Sequence, residues 1–204
     1  MHWFGGIHWE DTILRDTAVV RLVEDQLVWY PPGADTEPRS LDDDIARENL
    51  RATLVQRRAD VCFAVAGADA RLLTLPVTPA EKKHISKSLP FTLEEQVAAD
   101  VDDLHFAYCP LDKDNFAVAI VAREKMAGWQ DSLSELPGIG KWLPEPLLLP
   151  WQSGEWCLVV EGDNTIVRVG QMRRVHCRIR AVGCSVAGDA ARVGCAGCGD
   201  CIRQ

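Results

Sequence analysis

Two groups of residues have the types and spacing to do chemistry. The first is Cys195-x-x-Cys198-x-x-Cys201, with His176, Cys177 and Cys184 upstream. Thiolates hold zinc or iron, and two-residue spacers let one loop present several sulfurs. The pattern invites a metal-binding redox or regulatory module. Against that reading, the spacing lacks two CxxC pairs separated by a structured loop, and no predicted helix or strand would hold the sulfurs. The second group is a run of carboxylates: Glu94, Glu95, Asp100, Asp102 and Asp103. Paired catalytic carboxylates would need a cleft and shifted acidities. The plain alternative is a solvated face. The functional one is a docking surface for a basic patch on a partner, where charge steers encounter and sets register.

No other motif points to catalysis. The histidines, His2, His8, His84, His105 and His176, form no HExxH or other short ligand pattern. GxSxG, P-loop and GxGxxG motifs are absent. Gly138-Ile139-Gly140-Lys141 lacks the upstream glycine and the following Ser or Thr of a P-loop, and reads as a helix stop and turn. Cys62, Cys109 and Cys157 are scattered, two of them in apolar strand-like text, as expected of reduced, inert core cysteines. We therefore expect no catalytic residues, no cofactor and no metal.

The elements that must position these residues follow from hydrophobic period and punctuation. Ala18–Val23 and Gln26–Tyr30 read as a hairpin turning near Glu24 and Asp25. Pro31–Asp44 is a polar loop. Ile45–Arg57 reads as a helix burying Ile45, Leu50, Leu54 and Val55. Val61–Ala66 and Arg71–Leu75 read as a second hairpin around Gly67-Ala68-Asp69. Thr78 or Pro79 opens a helix to about Ser88. Pro90 then starts a short acidic helix that buries Phe91, Leu93, Val97 and Ala98, with Thr92 and Glu95 at capping-box spacing. Leu104, Phe106 and Tyr108 alternate as a strand, which places His105 on the opposite face, at the surface or an edge. Asn115–Ala122 is a strand and Arg123–Leu136 a helix stopped by Pro137-Gly138. Lys141–Pro150 is short strand and loop. Trp156–Glu161 and Thr165–Gly170 pair across Gly162-Asp163-Asn164. Mixed strands and helices of this kind predict an α/β or α+β mixed sheet covered by helices.

Composition is that of an ordinary globular chain, 47% hydrophobic and 25% charged. The net charge of −8 hides a split. Residues 1–170 carry 16 Lys+Arg against 28 Asp+Glu, which argues against nucleic acid as a partner and suits a basic protein. Residues 171–204 carry six Arg, two Asp and no Lys, Glu or Leu. No apolar run approaches the ~18 residues that span a bilayer, and Met1–Glu10 has no basic start or apolar core, so it is not a signal peptide.

One order of motifs resembles a known family. Leu72-Leu73-Thr74-Leu75-Pro76, then Leu89-Pro90-Phe91, then Leu93-Glu94-Glu95-Gln96, an acidic linker, and Leu104-His105-Phe106-Ala107 are similar to the cytoplasmic region of type II secretion system protein L. The resemblance is good from Val61 to Ala122, looser from Ala18 to Gly170, and ends there. It implies an actin-like (RNase H-like) cytoplasmic domain, incomplete at its C-terminus, in a protein with one membrane span and a small periplasmic domain. It implies a non-catalytic scaffold whose partners are the N-terminal domain of the secretion ATPase (the E component), the M component and a second copy of itself. The family sits at the cytoplasmic face of the inner membrane, whereas this chain, with no span, is expected to be soluble. An actin-like nucleotide-binding protein of a type IV pilus system is the neighbouring reading. Such ATPases hold phosphate with Gly-bearing hairpin turns, because bare backbone N–H groups must approach the oxygens. The turn through Glu24-Asp25-Gln26 has no glycine and would repel a triphosphate.

Three segments are expected: an irregular N-terminal segment 1–16, the actin-like domain 17–170, and a Cys/Arg/Gly-rich tail 171–204. Crowding of Arg, Gly, Cys and Ala where Leu and Glu vanish is the mark of GC-rich coding text read out of frame. Back-translation with permissible codons and a one-base shift yields a Thr cap, an acidic first turn and a long amphipathic run. The tail is therefore expected to be non-native or disordered, and the membrane span to be lost with the correct frame.

Overall fold

The computed structural model describes residues 2–3, 17–32, 37–56, 61–136, 138–150, 156–161, 164–170 and 174–178. β1 is His2–Trp3, β2 Ala18–Val23, β3 Gln26–Tyr30 and β4 Arg39–Ser40; α1 follows at Asp44–Gln56 and β5 at Val61–Val65. β6 is Arg71–Pro76, α2 Ile85–Leu93, β7 Leu104–Pro110, β8 Asn115–Ala122 and α3 Arg123–Ser132. β9 is Lys141–Pro144, α4 Glu145–Leu148, β10 Cys157–Glu161, β11 Asn164–Arg168 and β12 Arg174–Arg178.

The main sheet has the order β1-β9-β5-β2-β3-β4. Its first four strands are mutually parallel, and β3 and β4 continue it antiparallel. Every residue of β5 is buried, as a strand covered on both faces must be. Val61, Phe63 and Val65 face one core, shared with Leu50 and Leu54 of α1 and Met126 and Trp129 of α3. Cys62 and Ala64 face a second core, built with Ala107 of β7, Ala117 and Ala119 of β8, Leu143 of β9 and Leu147 of α4. Small side chains on both strands let a second sheet, β6-β8-β7, close onto the first. The outer face of that second sheet carries Leu75, Phe116, Val118 and Ile120 and is covered by Ile85, Leu89 and Leu93 of α2. The layers are thus α1 with α3, main sheet, small sheet, then α2. A third sheet, β10-β11-β12, is an antiparallel meander.

Several local expectations are corrected. β5 and β6 are not a hairpin. The 3-10 turn Gly67–Asp69 carries the chain from one sheet to the other, and β6 pairs with β8 instead. Ile45 and Val55 are 71% and 80% exposed, because α1 begins at Asp44 and buries the Ala46–Leu50–Leu54 stripe. A four-residue spacing identifies a stripe but not which of two competing stripes meets the core. Pro146 sits within α4, where loop was expected; it lies in the first turn, which needs no N–H there. Within the segment 1–16, His2–Trp3 pairs parallel to β9, and within 171–204, Arg174–Arg178 pairs with β11. Residues 4–16 and 179–204 lie outside the described residues.

Candidate partner-binding surface

The acidic run lies at the far end of the outermost layer. Thr78, where the first of two helices was expected, does cap a turn. Its N–H and hydroxyl meet Glu81 Oε2 at 2.8 and 2.5 Å, and Glu81 N–H lies 3.4 Å from Thr78 Oγ1. This reciprocal pair is the capping box. The expected one at Thr92 and Glu95 does not form, because Thr92 hydroxyl donates to Ser88 carbonyl at 3.0 Å inside α2. The helix runs through Pro90 and ends at Leu93. Pro90 cannot donate to the Ser86 carbonyl, yet burial of Ile85, Leu89 and Leu93 on the small sheet spans the interruption. Tertiary burial outweighs the local penalty, so one helix replaces parts of two.

The chain then makes a 3-10 turn at Glu94–Gln96, a bend, and a second 3-10 turn at Val101–Asp103. Arg71 holds the first turn by donating to Gln96 carbonyl at 2.5 Å. Asp100 caps the second, its carboxylate accepting from Asp102 N–H at 2.9 Å. Arg123 Nε donates to Leu104 carbonyl at 3.0 Å, anchoring the start of β7. Glu94, Glu95, Asp100, Asp102 and Asp103 are all exposed. Among the described residues the structure therefore strings the five carboxylates along one solvent-facing segment, away from the cavity at the β2–β3 turn. It also turns Phe91, expected inside, outward at 74% exposure. The missed signal was the Ile85–Leu89–Leu93 spacing across the proline.

The β2–β3 turn is a second place of interest. Glu24 and Asp25 have φ of 49° and 64°, the left-handed pair a two-residue hairpin turn demands. They line a cavity of about 210 Å³ with Phe63, Asp69, Lys125 and Trp129. Lys125 Nζ pairs with Asp69 at 3.5 Å. The lining thus carries three acidic residues, Glu24, Asp25 and Asp69, against one basic residue, Lys125. The counterpart turn around Gly162 and Asp163 lies outside the described residues.

Among the described residues no three His, Cys, Asp or Glu side chains converge to hold a metal, and Cys184, Cys195, Cys198 and Cys201 lie outside them. Burial pushes the Cys62 thiol up to about 12 and Cys109 to about 11, which keeps both protonated and unreactive. Burial, then the charge of Arg123, holds His105 below its ordinary range on a half-buried strand position. Among the described residues no helix is long and apolar enough to cross a membrane.

The fold agrees with that of the cytoplasmic domain of EpsL, an inner membrane component of the type II secretion system of Vibrio cholerae. The two align with a TM-score of 0.59 at 21% identity, over 79% of this chain and 71% of that one. That domain and this chain share the actin-like architecture. A PilM–PilN type IV pilus biogenesis complex aligns only at a TM-score of 0.40 and 14% identity. Type II secretion system protein L of Dickeya chrysanthemi is 30% identical over 106 residues, 52% of this chain and 27% of that protein. Its counterpart from Klebsiella pneumoniae is 30% identical over 119 residues, 57% of this chain and 29% of that protein. The matched stretch thus spans little more than a quarter of each relative. The family model described as type II secretion system (T2SS), protein L, matches residues 24–192, running beyond Gly170 where the sequence resemblance was expected to end. With most of its length matched and its fold in agreement, the chain belongs to the type II secretion system protein L family.

Proposed function

We propose that the chain is a non-catalytic scaffold that links the cytoplasmic secretion ATPase to the inner-membrane platform exporting folded proteins across the outer membrane. The observation that carries this reading is the outward-facing acidic segment, Glu94 to Asp103, on a member of this family. Carboxylates exposed along one segment can steer and register a basic partner surface. The acidic β2–β3 turn supports the same side of the choice, since Glu24 and Asp25 would repel a nucleotide's phosphates. The ATPase N-terminal domain is the partner for the acidic segment. The M component and a second copy of the chain are further partners, all at the cytoplasmic face of the inner membrane.

Co-purification tests the link. The chain is expected to retain the N-terminal domain of the secretion ATPase at low salt. Replacing Glu94, Glu95, Asp100, Asp102 and Asp103 by Ser should weaken that retention about tenfold or more, and salt should weaken it further. An intact, folded chain that ignores the ATPase removes the proposal.

A further inference from the structure

The chain builds one three-stranded motif twice. β2-β3-β4 and β10-β11-β12 are both antiparallel meanders in sequence order. In the first, the outer edge of the leading strand is used: β5 pairs with β2 in parallel, from Ala18 opposite Val61 to Arg21 opposite Ala64. In the second, the outer edge of the leading strand, β10, has no partner strand among the described residues.

The bare edge is also apolar. Cys157 to Val160 precede the one charged residue of β10, Glu161, at its last position. Trp156, Val159 and Val160 are exposed at 52%, 36% and 60%. Successive residues of a strand point to opposite faces, so Val159 and Val160 leave apolar surface in water on both. Sheet edges are ordinarily blunted by shortness, proline or charge. The other edge strands keep to that rule. β1 and β4 are two residues long, β6 and β7 end in Pro76 and Pro110, and β12 begins and ends with arginine. Residues 179–204 contain no five consecutive positions free of Gly, Arg and Asp, so their sequence offers no counterpart to Val61–Val65.

We propose that the free edge of β10 is a self-association site, where a second copy of the chain adds its own β10 antiparallel and joins the two meanders into one sheet. The inference rests on the self-association named above, gives it a surface, and makes no use of the acidic segment. A two-fold axis uses the same edge on both copies and leaves neither bare, which closes the assembly at two. Trp156 to Val160 bear no charge, so these edges can meet although each copy carries a net charge of −8. A basic partner would be drawn to carboxylates instead. Pairing centred on Val159 sets the two Val159 side chains against each other and Leu158 against the partner's Val160. One strand edge buries less than the roughly 1,200 Å² of a stable interface, so the dimer is weak, with a dissociation constant of about 10–100 μM.

Sedimentation equilibrium of the full chain over about 5–500 μM tests this, in reductant so that copies cannot link through cysteines. The wild-type chain is expected to dimerise within that range. Val159→Lys and Val160→Lys are each expected to weaken the dimer about tenfold or more. Val55→Lys, which adds the same charge at an 80% exposed apolar position on α1, is expected to stay within about twofold. Raising salt from about 50 to 300 mM should tighten the wild-type dimer, because screening removes repulsion between two anionic copies. Unchanged melting temperatures check that the variants are folded. The inference is overturned if the wild-type chain stays monomeric throughout, if both β10 variants behave as Val55→Lys, or if salt weakens the dimer. The link to the secretion ATPase is read separately by co-purification and stands or falls on that result.

Discussion

Cys62 was legible as a core residue from the apolar text around it, whereas Cys109 and Cys157, expected in the core as well, are only partly buried; burial raises the pKa of all three thiols. His105 was legible only as the off-face residue of a strand. The structure adds that it is half-buried and near Arg123, so its imidazole is held below the ordinary value of about 6.5. The unfolded chain then binds more protons than the folded one between the two values, and stability rises with pH across that window. His105 costs nothing above about pH 6.5 and weakens the fold as pH falls through the lower, folded value. His105→Gln is expected to flatten the loss of stability between about pH 7 and pH 5 in urea titrations. An unchanged slope would mean that His105 titrates as freely in the fold as out of it. Phe91, Ile45 and Val55 were misplaced for one shared reason. Their spacing was right for a buried face, but a neighbouring stripe buried more apolar surface and took the core.

At the scale of elements, the β2–β3 hairpin followed from its sequence, while its turn carries a cost that sequence alone does not display. Both turn residues adopt positive φ with side chains attached. Such a conformation costs an L-residue roughly 1 kcal/mol, and glycine escapes it. Asp25→Gly is expected to stabilise the chain by up to about 1 kcal/mol in chemical denaturation. A loss instead would show that the Asp25 carboxylate makes a compensating interaction. α2 is the converse case. Pro90 reads as a helix start, since proline disfavours a helical residue before it. The structure runs the helix through it because Leu89 and Leu93, on either side, both reach the small sheet. Propensity is worth a few kcal/mol at most and burial of two leucines is worth as much or more.

At the scale of the molecule, β11 packs against α4 with Thr165, Ile166 and the cation Arg168 all buried. Arg168, 6% exposed, donates to the carbonyls of Leu147 at 3.2 Å and Leu149 at 2.6 Å, and to Gly170 at 3.3 Å. Its guanidinium closes the C-terminal end of α4. Arg168→Met keeps much of the volume but removes charged hydrogen bonds from buried carbonyls, and is expected to destabilise the chain by about 2–4 kcal/mol. Hydrogen exchange should quicken first in β10 and β11; uniform quickening would mean that the hairpin and main lobe open as one unit. Sequence by itself determined the family, the mixed α and β class, most strand positions and the acidic segment, because two-residue alternation, turn residues and charge are all written locally. Only the tertiary structure decided which strands share a sheet, that β5 and β6 part company, and which helix faces turn outward. Those choices depend on apolar surfaces brought together from residues far apart in the chain, and no local pattern records which surface will win.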